Sequence, residues 1–165
     1  NIDKLISKVR YLSYKHARIH LANPEDIASV FELSNDSLVR QNSLNTNLIS
    51  FEMHRRWYTK IIEDKSCLFL LFKSASNQLL GQIRFSNLDA DETLIGLSLA
   101  PEARGVGVSK FFLESAIKYY HKHGYSNKIT AQIRYQNSAS LALFRGVGFE
   151  DVYKNKEVIW LHFNV

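Results

Sequence analysis

The stretch Leu97-Ser98-Leu99-Ala100-Pro101-Glu102-Ala103-Arg104-Gly105-Val106-Gly107-Val108-Ser109-Lys110 restricts the fold more than any other, because a strand runs into a two-glycine loop and then into a long helix. Glycines on either side of Val106 reach backbone conformations closed to residues with a Cβ, so successive N–H groups can face one anion. The positive end of the following helix strengthens such a site, and Arg104 adds a fixed charge suited to phosphate. The same residues also suit a tight turn into a packed helix. Two nucleotide loops are set aside. The third glycine of the dinucleotide fingerprint is missing and no acidic residue stands at the ribose position. There is also no Gly-Lys-Ser/Thr ending of a P-loop, which disfavours ATP or GTP hydrolysis.

A second segment, Asn137-Ser138-Ala139-Ser140-Leu141-Ala142-Leu143-Phe144-Arg145-Gly146-Val147-Gly148-Phe149, has the cap, stripe and stop of a helix. Arg-Gly-x-Gly-x opening one helix, then a strand, then Asn-x-x-Ser starting another helix and Gly-Phe ending it, resembles the GCN5-related N-acetyltransferases (GNAT). The order of elements extends that resemblance over about residues 17–163. It implies an α/β (α+β) fold with a mixed, mostly antiparallel sheet of about seven strands flanked by about four helices. It also implies acetyl-CoA as acetyl donor and no metal. By the same resemblance, Arg104, Gly105, Val106, Gly107, Val108 and Ser109 hold the pyrophosphate. Leu97, Ser98 and Leu99 line the pantetheine arm, and Asn137 and Phe144 contact the cofactor.

The match has departures. Ser109 stands where the motif ends in Gly or Ala. Phe144 stands where many members place the tyrosine that protonates the departing thiolate, and phenylalanine has no proton to give. Tyr135 or a bound water is left for that role, or the thiolate leaves unassisted, which its acidity allows. Gln132 occupies a strand position where some relatives carry glutamate. His54 is then the titratable candidate for the general base.

With 165 residues, 45% hydrophobic and 22% charged, the chain reads as one soluble domain. The net charge of +5 favours anionic partners. Because the basic residues are dispersed, nucleic acid has little local support. No apolar run is long enough to span a membrane. Cys67, the single cysteine, lies at the start of an apolar run and reads as a core residue. The histidines have no paired ligand spacing on one helix, so no metal is expected. The cytoplasm is the default location.

Read in order, helical spacing of Ile2, Leu5, Ile6, Val9 and Leu12 predicts an N-terminal helix over residues 1–14. The chain begins without Met, which suggests that residues 1–15 are a tail or linker of a preceding domain and that residues 16–165 are the acetyltransferase domain. A strand at residues 18–22 and a helix from Asn23-Pro24 to about Ser34 follow. Residues 35–47 read as a polar loop of a length often used for binding. Ser50 caps a helix over residues 51–64 with Phe51, His54, Tyr58 and Ile61 inward and Trp57 alongside. A histidine there is also a common core residue. Strands at 66–74, 79–88 and 93–99 form a meander, and the helix over 108–123 is followed by a strand at 128–134, the Asn137 helix, and strands at 149–153 and 157–163.

Arg40, Asn42 and Ser43 in the loop, His54 and Trp57 on the helix, and Gln82 and Arg84 on the middle strand resemble the GNAT subgroup that acetylates nucleotide-linked 4-amino-sugars in pseudaminic and related nonulosonic acid biosynthesis. In this chain they appear as Arg-x-Asn-Ser, His-x-x-Trp and Gln-x-Arg-Phe. The resemblance implies a small-molecule amine acceptor, a UDP-amino-sugar, bound by Arg40, Asn42, Ser43, Trp57, Gln82 and Arg84. It is compatible with a homodimer and with fusion behind a nucleotide-sugar hydrolase. Arginines suit a diphosphate, and aromatic faces suit a base or pyranose ring. A peptide N-terminal acetyltransferase is the enzymatic alternative, and a non-catalytic acetyl-CoA sensor, motivated by Phe144, is the other.

Overall fold

The structure, a computed structural model, describes residues 2–4, 14 and 16–165; apart from residues 2–4 and 14, the expected N-terminal helix lies outside these. From Arg18 onward seven strands form one sheet: β1 (Arg18–Leu21), β2 (Leu68–Lys73), β3 (Leu79–Ser86), β4 (Glu92–Leu99), β5 (Lys128–Arg134), β6 (Glu150–Lys154) and β7 (Val158–Phe163). Their spatial order is β1-β2-β3-β4-β5-β7-β6. Every neighbouring pair is antiparallel except β4 with β5. This is the mixed, mostly antiparallel sheet expected from the sequence.

From Arg18 onward five α-helices cover the sheet: α1 (Ile27–Ser34), α2 (Ser37–Asn42), α3 (Phe51–Ile61), α4 (Val108–Lys122) and α5 (Ser138–Val147). The sequence reading differs at α2, which lies inside the stretch taken as loop. Asp36 caps it by accepting from the N–H groups of Leu38 and Val39. None of its residues is buried, so it leaves no apolar periodicity to read.

The continuous apolar run of β2 follows from cover on both faces. Leu68, Leu70 and Phe72 point into the larger core with Phe112, Leu113, Ala116 and Tyr120 of α4 and Leu141 and Phe144 of α5. Phe69 and Leu71 point the other way, against Val30 of α1 and Tyr58 of α3. Asp26, in the turn before α1, pairs with Lys73 at 2.5 Å with both side chains nearly buried. Among the described residues no helix is long and apolar enough to cross a membrane.

Gly81 shows how tightly α4 is seated. A Cβ there would lie 2.9 Å from both Leu99 Cδ2 and Phe112 Cε1 and 3.0 Å from the Ser98 carbonyl oxygen. Phe112 is itself stacked on Phe72 with ring centroids 4.5 Å apart, so it has little room to give. Gly81→Ala is expected to cost about 1–3 kcal/mol through overpacking, read as a lower urea midpoint with an unchanged slope.

Candidate functional site

The site begins where the sheet stops pairing. The parallel register of β4 and β5 runs from Glu92↔Lys128 to Ile95↔Ala131 and ends there, although β4 continues to Leu99 and β5 to Arg134. Backbone groups on the facing edges are therefore without a neighbouring strand. A cavity of about 600 Å³ opens at this point. Gly96, Leu97, Ser98, Gln132, Ile133, Asn137 and Phe144 line it where the strands part, and His54, Trp57, Gln82 and Arg84 line it on the α1/α3 face.

On the α4 side, Gly105 and Gly107 have φ of 70° and 82°, so both need the left-handed conformation that glycine tolerates. Gly107 is the N-cap of α4 and supplies no side-chain cap. The first-turn N–H groups are thus without the side-chain partner that most helices provide, which is the arrangement that receives an anion. Val106 and Val108 are buried and Ser109 is half-buried, so this loop presents mainly backbone. Arg104 is placed differently from a free phosphate ligand. Its Nη2 donates to Asp36 Oδ2 at 2.5 Å and to the Leu99 carbonyl at 2.9 Å. Burial raises the Asp36 pKa, but hydrogen bonds from Arg104 and from the Val39 and Leu38 amides outweigh it and hold the carboxyl below its ordinary value.

Asn137 caps α5, its Oδ1 accepting from Ser140 N at 3.2 Å. Phe144 is buried with its ring edge-on to Phe149. Tyr135, a candidate proton donor in the sequence, is 42% exposed and is not among the residues that line the cavity.

Residues 35–49 form the opposite wall, and arginines hold it. Arg40 donates to the carbonyls of Ser34, Asn45 and Asn47 and to Ser43 Oγ, while Ser43 Oγ donates to the Val39 carbonyl. Arg40 and Ser43 line the cavity, but these bonds engage them with the loop itself. Asn42 also lines it. Asn35 closes the loop, its Nδ2 donating to the Ile49 carbonyl and its Oδ1 accepting from Ile49 N. Arg134 of β5 then reaches across, donating from Nε to the Ser43 carbonyl at 2.8 Å and from Nη2 to the Leu44 carbonyl at 2.9 Å. The sequence reading missed Arg134, because nothing local marks a contact across some ninety residues of chain, and Asn35, whose partner Ile49 lies fourteen residues on.

His54 is buried to 1% exposure with Nε2 2.9 Å from the Ile27 carbonyl. A carbonyl can only accept, so Nε2 carries the hydrogen and Nδ1 is the ring's lone-pair nitrogen. Burial among Phe31, Trp57 and Tyr58 lowers the His54 pKa, and the Ile27 carbonyl opposes that only in part. The ring is therefore neutral at neutral pH.

Trp57 carries the guanidinium of Arg84, whose Cζ is 5.1 Å from the ring centroid. Arg84 has no hydrogen-bond or ion-pair partner among the described residues. Burial pushes the neighbouring Cys67 thiol up to about 11, so it is neutral and supplies no counter-charge. Gln82 lies two residues before Arg84 on the same strand face, with its Nε2 3.5 Å from Ser34 Oγ and its buried Oε1 without a partner. Among the described residues none that lines the cavity is Asp or Glu. No group of three or more His, Cys, Asp or Glu able to hold a metal occurs among the described residues.

Comparison with known proteins follows the same lines. Residues 18–150 match the family model described as an acetyltransferase (GNAT) domain. The chain is 29% identical over 124 residues to acetyltransferase PseH of Campylobacter jejuni, covering 74% of this chain and 76% of that protein. It superposes on spermidine N-acetyltransferase from Vibrio cholerae in complex with CoA and spermine with a TM-score of 0.80 at 17% identity, over 90% of this chain and 95% of that one. A phosphinothricin acetyltransferase from Sinorhizobium meliloti in complex with AcCoA gives 0.76 at 17% identity, over 91% and 89%. At these identities the solved structures share the fold.

Two outcomes follow from the geometry. Arg134→Ala is expected to destabilise the protein by about 1–2 kcal/mol and to speed amide hydrogen exchange in residues 43–47 more than in β5. His54 has a folded pKa below its ordinary 6.5, so the stability gained from a neutral ring is fully present above that value and is lost as pH falls through it toward the folded pKa. Wild-type stability should therefore fall from pH 7 to pH 5 more steeply than that of His54→Asn, measured by urea unfolding at both pH values.

Proposed function

The chain belongs to the acetyltransferase (GNAT) domain family, and from that premise we propose that it moves an acetyl group from acetyl-CoA to the amine of a nucleotide-linked 4-amino-4,6-dideoxy sugar. That it is an acetyl-CoA-dependent N-acetyltransferase follows from the family; the acceptor is our reading. The charge of the cavity carries this reading: an unpaired, largely desolvated guanidinium at Arg84 and no carboxylate in the lining. A polyamine would have to place several ammonium groups beside Arg84 with no counter-charge, which Coulomb repulsion in a low-dielectric cavity disfavours. A diphosphate or other anion supplies the charge that Arg84 lacks. The resemblance to nucleotide amino-sugar acetyltransferases and the relative named PseH support the same acceptor.

Bound acetyl-CoA supplies an activated acetyl thioester. The uncapped N–H groups that open α4 hold its pyrophosphate in this reading, with Arg104 fixing the loop through Asp36 and Leu99. The open edge of β4 from Leu97 to Leu99 offers backbone groups to the pantetheine amides and an N–H to polarise the thioester carbonyl. Trp57 and Arg84 orient the acceptor. His54 Nδ1 takes a proton from the acceptor amine, directly or through water, while Nε2–H stays on the Ile27 carbonyl and steadies the resulting imidazolium. With Phe144 apolar and Tyr135 outside the cavity lining, the thiolate leaves without a proton from either. Residues 16–165 form the catalytic domain in this reading, working in the cytoplasm.

The test is thiol release from acetyl-CoA with UDP-4-amino-4,6-dideoxy sugars, spermidine and peptides with free N-termini, with product masses taken. The sugar is expected to gain the acetyl group while spermidine stays unmodified; turnover of spermidine alone overturns the reading, and peptide turnover alone assigns the scaffold to protein modification. Arg84→Ala is expected to raise the acceptor KM roughly 10–100-fold, the range for losing a charge-assisted contact, with acetyl-CoA KM within about twofold. His54→Gln is expected to lower kcat about 100-fold and to remove the acid limb of the pH profile.

A further inference from the structure

We infer that Gly96 sets how much bulk an acceptor can place beside Arg84, so that its missing side chain is a specificity determinant of the cavity. The inference rests on reading this cavity as the acceptor site. A glycine inside a strand weakens it and calls for a reason: a special backbone conformation, a close neighbour, or the approach of a ligand. The two strand glycines of this chain separate these reasons. Gly81 is explained by its neighbours, since a Cβ would run into Leu99 and Phe112 at 2.9 Å.

Gly96 has neither of the first two reasons. Its φ is not in the left-handed region, and a Cβ built on it meets nothing within 4 Å. It belongs to β4, an inner strand between β3 and β5, and yet it is exposed. It lines the cavity and pairs across the sheet with Arg84. That register sets its missing side chain on the sheet face that carries Gln82 and Arg84, where directly opposed side chains stand about 5 Å apart at Cβ. Gly96 is also one position beyond Ile95↔Ala131, the last pair before the strands part. A side chain here would therefore project into open space on the face that carries Arg84, at the mouth of the gap between β4 and β5. The bare backbone leaves room for the amine-bearing ring of a bulky acceptor to lie against the strand while its anionic portion reaches Arg84.

The experiment compares wild type, Gly96→Ala and Gly96→Val by thermal unfolding and by steady-state kinetics with the amine that the wild type acetylates. The melting temperature is expected to stay level or rise in both variants, because the added atoms meet no neighbour and strand propensity improves. Acceptor KM is expected to rise about 10-fold for Ala and about 100-fold for Val, the range for added methyl groups in a closed site, with acetyl-CoA KM within about twofold. Three results would each overturn the inference: a lower melting temperature for Gly96→Ala, an acceptor KM that neither variant changes, or a rise confined to acetyl-CoA. If spermidine proves to be the acceptor, the nucleotide-sugar reading fails, and the same comparison on spermidine still decides the role of Gly96. If the wild type acetylates none of the panel, UDP is titrated by calorimetry, and an equal Kd for wild type and Gly96→Val overturns the inference.

Discussion

Two parallel strands that stop pairing before they end impose the demand on which the rest of the molecule depends. Past Ile95 and Ala131, the facing edges of β4 and β5 lack the ladder that satisfies them elsewhere. Unpaired backbone groups inside a protein are costly unless solvent, side chains or a ligand take them up. The fold does not close the gap with another strand. It keeps the gap open as a cavity and supports both arms from outside: β4 through its antiparallel pairing with β3, and β5 through its pairing with β7. Gly81 lets α4 press on the β3–β4 arm, so the arm is stiff where the edge is bare.

The wall facing this gap is tied to both arms by arginines that do not themselves complete the chemistry. Arg104 joins the N-cap of α2 to the end of β4, and Arg134 joins residues 43 and 44 to the end of β5. A planar guanidinium with several donors suits such work, because it satisfies two separate acceptors with one charge. That wall is thereby referred to the same two strand ends between which the proposed reading lays the thioester. This is how a polar segment with one short helix is held in place without a core of its own. Arg40 performs the local part of that task inside the loop.

Much of this plan was legible in the sequence. The alternating strands, the double-glycine loop before α4 and the Asn137 cap of α5 are local signals, and local signals survive without coordinates. The short α2 was not legible, since a six-residue helix with no buried residue leaves no period. The partners of Arg40 and Arg104 were not legible either. An arginine in a polar loop reads as a ligand for phosphate, and only the fold reveals that Ser34, Asn45 and Asn47 carbonyls already occupy Arg40 and that Asp36 holds Arg104. Arg84 is the reverse case. Its pattern of residues pointed toward an anion, and in the fold its guanidinium rests on Trp57 without a partner.

The contrast among these arginines also bears on how His54 and Arg84 coexist. Trp57 neighbours both, with the His54 ring centroid 5.7 Å from the indole and the Arg84 Cζ 5.1 Å from it. Burial lowers the His54 pKa and the Ile27 carbonyl opposes it in part, so the imidazole is neutral on account of its packing. In the proposed reaction the charge of an anionic acceptor offsets the positive field of Arg84, which would otherwise oppose the proton that His54 takes up as base. A cationic acceptor would add to the opposing field at that same moment. The positive charge of Arg84 thus bears on both binding and proton transfer in the proposed reaction, and it favours the same class of acceptor for each.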